Sequence, residues 1–451
     1  MLDFKFENLG PIDTANIQLN RLTLLCGPNN SGKTYLTNTI YGYLKHWTFS
    51  LGWKINNEAI AKLEQYGSCE IDLEEELFSN WDDRCKAGAN RFVAQILPVS
   101  LATSAHRLER TYIETKIPIK EKWYENSLNL SIRKGTIHIT KLANSYKITI
   151  SSTSNISELS KLFLRSFIRV NILDSLFNDE VFICSAERTG AIAFKNHINF
   201  YQENLRDAVE SLENHELAAE MSAFKRDYAE AISDNLKFLM QLGISEKTPV
   251  NNRLITQYPE LIEYFKEITL GSYRVDANNQ MYYTPNKSSD ELNIGETSTS
   301  VRSLGMIWYW LQFIAKKNNI LIIDEPEINL HPRNQRLFAR FITRLVNCGV
   351  QVFITTHSDY IIREINTLIL MSHTADHIPD IKRKYGYAES DKLIPYDVNV
   401  YVTKENNTDS LSSKYNVVKI PVDSVTGIQI ESFDNEINNL NKIQHSMLYG
   451  N

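Results

Sequence analysis

Gly27-Pro-Asn-Asn-Ser-Gly-Lys-Thr34, set between Arg21-Leu-Thr-Leu-Leu-Cys26 and a helical pattern running from Tyr35 to about Leu44, decides the fold. The six residues before it read as a short buried strand, and the octet fits G-x-x-x-x-G-K-[ST], the spelling of a phosphate-binding loop. The spelling follows from chemistry. Gly27 and Gly32 let the backbone turn its N–H groups inward around phosphate oxygens, and the helix that starts there adds the positive end of its dipole. Pro28, Asn29, Asn30 and Ser31 complete the cradle, with Tyr35 just beyond it. Lys33 reaches β- and γ-phosphates, and the Thr34 hydroxyl is a ligand for Mg2+. A Gly/Asn turn that happens to carry a lysine is the competing reading. The strand before and the helix after argue against it.

A chain of 451 residues suffices for one large domain with inserted subdomains. A net charge of −6 argues against wholesale electrostatic binding to nucleic acid, although a local basic groove stays open. Cys26, Cys69, Cys85, Cys184 and Cys348 are scattered without a C-x-x-C pair, so they read as thiols in a reducing compartment. Phe4-Lys-Phe-Glu-Asn8 is strand-like rather than a secretory leader, and the longest apolar run, about Leu304 to Ala315, is too short to span a bilayer. A cytoplasmic protein with no membrane partner is expected.

The pattern divides the chain. Residues 1–44 give two alternating strands, the loop and its helix. Residues 45–180 read as an α+β insertion, in which Ser127–Ile132, Thr136–Thr140 and Tyr146–Ser151 form an antiparallel meander. Residues 181–200 return to the core through Val181-Phe-Ile-Cys184. Residues 201–270 form a helical insertion, because apolar residues from Leu205 to Leu239 recur at steps of three and four, giving one long helix or a helix pair. Residues 271–375 hold the second half of the core, and 376–451 read as an α/β extension, with a polar loop at Lys404–Ser413.

The second informative block is Ile320-Leu-Ile-Ile-Asp324 and Val350–Thr355, apolar and β-branched as parallel strands buried on both faces should be. Asp324 and Glu325 end the first of these strands, where α/β sheets place ligand chemistry. Asp324 suits the metal, and Glu325 suits the orientation and deprotonation of an attacking water. His357 ends the next strand and can sense a γ-phosphate.

Gly27–Thr34, Ile320-Leu-Ile-Ile-Asp-Glu-Pro-Glu-Ile-Asn-Leu-His-Pro332 and Thr355-Thr-His-Ser-Asp-Tyr-Ile-Ile-Arg363 resemble the Walker A, Walker B with D-loop, and His-switch motifs of ABC-type ATPases. Within that class they are most similar to the branch of OLD-family proteins, RecF and SMC-like ATPases, and to the stand-alone ATPase subunits of anti-phage systems such as PARIS and Septu. The resemblance implies an α/β fold: an ABC-type P-loop ATPase head with a mostly parallel core sheet, an antiparallel β subdomain and a helical insertion. It also implies ATP and Mg2+, with Lys33, Glu325 and His357 as the catalytic residues. The family's Leu-Ser-Gly-Gly-Gln signature survives only as Glu296-Thr-Ser-Thr-Ser-Val-Arg-Ser-Leu304, in which Ser298 or Ser300 supplies the hydroxyl that meets the γ-phosphate of a second subunit. The Q-loop position falls at Ser185-Ala-Glu-Arg188, where Glu187 is a candidate metal ligand, although Glu187 or Arg188 equally suits a structural ion pair.

The resemblance further implies a homodimer or higher homo-oligomer that closes head to tail on ATP. It points to a sensor of phage infection that holds a separate effector, a nuclease or toxin, and releases it when DNA or a phage protein triggers it. The alternative is a DNA-binding repair or chromosome-maintenance ATPase, for which Arg107, Arg110, Lys116, Lys120 and Lys122 offer a groove, although a solvated face explains them equally well.

Overall fold

Leu22, Leu24 and Cys26 belong to one hydrophobic cluster and Leu25 to another; Leu321 and Ile323 part from Ile320 and Ile322 in the same way. On strands buried on both sides, a two-residue side-chain period places one cluster on each face of a sheet. The computed structural model describes residues 2–118, 121–132, 137–153, 158–177, 180–193, 195, 228–242, 253–406, 414–429 and 431–449.

The strands that matter are β1 (Leu2–Leu9), β2 (Ile12–Leu19), β3 (Leu22–Cys26), β4 (Ser68–Asp72), β5 (Tyr112–Lys116), β6 (Leu128–Ile132), β7 (Ile137–Lys141), β8 (Lys147–Ser152), β9 (Val181–Cys184), β10 (Gly271–Val275), β11 (Met281–Pro285), β12 (Leu292–Asn293), β13 (Ile320–Asp324), β14 (Gln351–Thr356), β15 (Val398–Asn406) and β16 (Lys414–Ile420). Among the described residues the main sheet has nine strands in the order β5-β1-β2-β16-β15-β3-β14-β13-β9. Its centre, from β15 through β3, β14 and β13 to β9, is parallel throughout. The antiparallel pairs lie towards the β5 edge. Separate antiparallel sheets are β4-β8-β7-β6 and β10-β11-β12. This is an α/β fold with a mixed, mostly parallel core sheet.

The helices cover the two faces. Helix Lys33–Leu51 brings Leu36, Ile40 and Tyr43 to the Leu25 cluster; Thr299–Phe313, Pro332–Asn347 and Asp359–Leu370 bury their apolar faces in the opposite cluster. Lys33–Leu51 runs past the expected Leu44 and stops at Gly52, whose φ of 68° is the left-handed end that glycine allows. No described helix is long and apolar enough to cross a membrane.

Two expectations change. The segment 376–451 is no mere extension: β15 lies inside the main sheet, hydrogen-bonded to β3, and β16 bridges it to β2. Val398–Thr403 is wholly buried, and the strand continues through Lys404–Asn406, part of the segment expected to loop out. The strands it joins lie more than three hundred residues upstream, so local pattern could not show the pairing. Of the one long helix or helix pair expected within 201–270, the single helix is excluded, because helix Glu230–Met240 begins at an extended Ala229 (φ −53°, ψ 145°); residues 203–227 of that expectation lie outside the described residues.

Helix Glu230–Met240 is tied to helix Lys33–Leu51 by a dense polar cluster. Lys45 Nζ lies 2.7 Å from Glu230 Oε1 and also pairs with Asp234. His46 Nε2 sits 2.7 Å from Glu230 Oε1; Ser100 donates to Glu230 Oε2 and Tyr41 to Asp234, each at 2.7 Å.

Candidate active site

Because β9, β13, β14 and β3 are parallel and in register, their C-terminal ends meet along one edge. Cys184 pairs with Ile323, Asp324 with Thr355, and Thr356 with Cys26. The phosphate loop, the Asp324-Glu325 pair, His357 and the Ser185–Arg188 turn therefore leave the sheet side by side.

In the loop, Gly27 has φ 148°, and a β-carbon there would lie 1.9 Å from Thr403 Oγ1 of β15. Only glycine fits. Thr403 also donates to Ser31 Oγ at 2.8 Å, and Ser31 to the Pro28 carbonyl at 2.8 Å. The loop is thus braced by a strand of the C-terminal segment. Pro28, Asn29 and Asn30 are exposed, Asn30 with φ 62°, while the Tyr35 ring lies against Gly10. Gly32 (φ 89°) turns the chain into the helix. Lys33 is buried and folds over its own loop, donating to the carbonyls of Gly27 (3.0 Å) and Pro28 (2.9 Å), with Glu325 Oε1 4.0 Å away.

Thr34 Oγ1 donates to Asp324 Oδ2 at 2.8 Å, joining the two sequence blocks. Thr355 Oγ1 donates to the other carboxylate oxygen of Asp324. Asp324 is 1 % exposed, and burial raises its pKa against the pull of these two hydroxyl donors, with the charges of Glu325 and Glu187 adding to the rise. Glu187 itself is exposed, and among the described residues no hydrogen bond joins it to Thr34 or Asp324.

Glu325 takes a left-handed φ of 49°. A side chain with a β-carbon avoids that region, and a residue before proline, as Glu325 is before Pro326, prefers extended backbone. Its N–H is held by the carbonyl (3.2 Å) and Oγ1 (3.1 Å) of Thr355. His357 Nδ1 lies 3.6 Å from Glu325 Oε1 and 3.2 Å from Glu327 Oε1. Glu327, 6 % exposed, also accepts from the His357 backbone N–H (2.7 Å) and Thr356 Oγ1 (2.8 Å).

Three participants escape a reading by motif. Glu327 stands in plain view in Asp-Glu-Pro-Glu, but nothing in the sequence sets it beside His357. Thr403 has no local signal at all. Arg188, expected within the Q-loop stretch or in a structural ion pair, is fully buried, which pushes its pKa down, and it bonds to backbone carbonyls rather than carboxylates.

Ser298 caps helix Thr299–Phe313, accepting from the Val301 N–H at 3.4 Å and lying 2.9 Å from Ser300 Oγ. Asn293 and Glu296 form a capping box just before it. Ser298 is exposed and Ser300 partly so; among the described residues neither is hydrogen-bonded to the phosphate loop. The next turn faces inward: Ser303 Oγ donates to the Ile328 carbonyl at 3.1 Å.

The AAA_15 family, described as an AAA ATPase domain, matches residues 2–362. No curated protein matches the sequence. Among solved structures the chain is similar to an SMC head bound to the C-winged helix domain of ScpA (TM-score 0.39, 12 % identity, 93 % of this chain and 97 % of that one). Two others are an Smc head with an extended coiled coil bound to the C-terminal domain of ScpA from Pyrococcus furiosus (0.36, 12 %, 98 % and 100 %) and the SMC head domain from Thermotoga maritima (0.33, 10 %, 93 % and 98 %).

Proposed function

The chain belongs to the AAA_15 family of AAA ATPase domains and is an ATP-hydrolysing P-loop enzyme; from that premise we propose that two copies close on ATP, the phosphate loop of one facing the Ser298–Ser300 hydroxyls of the other. The carrying observation is the Thr34–Asp324 hydrogen bond, which brings residues 290 apart to one point.

Each residue then has a task. Lys33 exchanges the carbonyls of Gly27 and Pro28 for the β- and γ-phosphates, while the loop N–H groups and the helix start hold the remaining charge. Glu325 orients the attacking water and takes its proton. His357, its Nδ1 beside Glu327, turns its other nitrogen towards the γ-phosphate. Thr34 and Asp324 suit Mg2+: a buried carboxylate met by hydroxyl groups is short of positive charge, with Glu187 adding to the negative field. The ion, when bound, neutralises charge on the β- and γ-phosphates. Since the γ-phosphate contacts both copies, hydrolysis weakens their interface.

The cycle serves as a switch. In this reading the ATPase is the sensor of an anti-phage system in the cytoplasm, holding a nuclease or toxin and releasing it on a DNA or phage-protein trigger. The resemblance of the three motifs supports it, and the acidic balance favours a protein partner over bulk DNA. Purifying Glu325→Gln with ATP and Mg2+ tests both levels. Recovery of a closed dimer together with a neighbouring nuclease or toxin supports the reading. ATP-dependent retention on duplex DNA with a steep salt dependence, and no effector, would replace it with a repair or chromosome-maintenance role.

A further inference from the structure

Among the described residues Arg188 is the largest charged side chain wholly removed from solvent, and its contacts are unusual for a buried cation. Nε donates to the Ser303 carbonyl at 3.1 Å, Nη1 to those of Ser185 (3.1 Å) and Asp324 (2.8 Å), and Nη2 to that of Glu325 (2.9 Å). Among the described residues no carboxylate pairs with it. A buried guanidinium without an ion pair is costly, and a neutral donor would satisfy one or two carbonyls at less cost. A planar fork of donors is needed only where several carbonyls from separate segments must be fixed together. Here there are three: the turn after β9, the helix that Ser298 caps, and the end of β13.

The geometry at Glu325 gives the fork its purpose. Backbone at φ 49° before a proline is strained and persists only where its surroundings hold it. Thr355 holds the N–H side of Glu325, and Arg188 holds the carbonyl side. We propose that Arg188 is a positioning residue for hydrolysis: it locks the Glu325 backbone in its left-handed state and ties that state to the helix carrying Ser298 through the Ser303 carbonyl. Movement of that helix is thereby felt at Glu325. The inference rests on Glu325 acting on the attacking water.

A double-mutant cycle separates this role from plain stability. Arg188→Lys keeps the charge but cannot span three segments. Single-turnover hydrolysis at saturating ATP should fall about 100-fold, the loss that a small misplacement causes, with ATP affinity by calorimetry changed less than about threefold. In an Glu325→Gln background, where the positioned group is absent, Arg188→Lys should cost almost nothing further. An equal loss in both backgrounds, or a matching loss of ATP affinity, overturns the assignment. If Glu325→Gln itself leaves hydrolysis unchanged, the reading of Glu325 fails and Arg188 positions no base. Arg188→Gln, with a planar amide, serves if the lysine variant does not accumulate; failure of both to fold would make Arg188 purely structural and overturn the proposal.

Discussion

Two carboxylates flank the phosphate-loop helix, Asp324 near its first turn and Glu230 near its fourth, and the protein treats them in opposite ways. Glu230 meets Lys45, His46 and Ser100 at 2.7 Å. Burial alone would raise its pKa, but these partners hold it at about 2. Asp324 receives only two hydroxyls, and burial raises its pKa. One carboxylate has its counter-charge built in and serves as a brace. Among the described residues the other has no cation bonded to its carboxylate, as suits a site that takes its cation from a ligand.

The comparison is broken most decisively at the functional end. Glu325→Gln should slow ATP hydrolysis about 10²–10⁴-fold while leaving nucleotide bound; normal turnover in a coupled phosphate assay would remove Glu325 from the chemistry. Lys33→Ala comes next, weakening ATP binding roughly 10- to 100-fold by calorimetry, since it removes charge-assisted bonds to phosphate. Unchanged affinity would count against the loop.

The last two experiments sharpen the contrast, because they should differ in sign. Glu230→Gln should lower unfolding stability by about 2 kcal/mol at neutral pH. The folded-state pKa of Glu230 is depressed from 4.5, so its contribution is present above pH 4.5 and is lost as pH falls towards about 2. The deficit of the variant in urea unfolding should disappear over that window. Asp324 runs the other way: its pKa is raised, so its contribution is present below pH 3.8 and is lost as pH climbs through the raised value. The ionised form is therefore a burden at neutral pH. Asp324→Asn should raise the nucleotide-free melting temperature slightly, by roughly 2 °C, and abolish hydrolysis. A fall in melting temperature would mean that the two hydroxyl bonds outweigh the burial of the charge.

Much of this was legible locally. The strand–loop–helix at Gly27–Thr34 and the apolar run ending in Asp324 are continuous stretches whose periods and end residues state their structure, and both lie where they were expected. Thr403 shows the opposite case. It sits in an ordinary alternating strand, and only the pairing of β15 with β3 places its hydroxyl against Gly27. Arg188 could be found in a candidate turn but not understood there, since three of its four carbonyl partners come from segments 115 and more residues downstream.

What the residues fixed by themselves is the chemistry on offer: a glycine-lined anion cradle, paired carboxylates at a strand end, a histidine at the next. These depend on neighbours within a dozen positions, where backbone geometry limits what the chain can do. Which strands lie side by side, which carboxylate is given a cation and which is left without one, and what holds Glu325 in its strained state were decided only by the tertiary structure. Those outcomes depend on burial and on contacts between distant segments, and neither is a property of any single stretch of sequence.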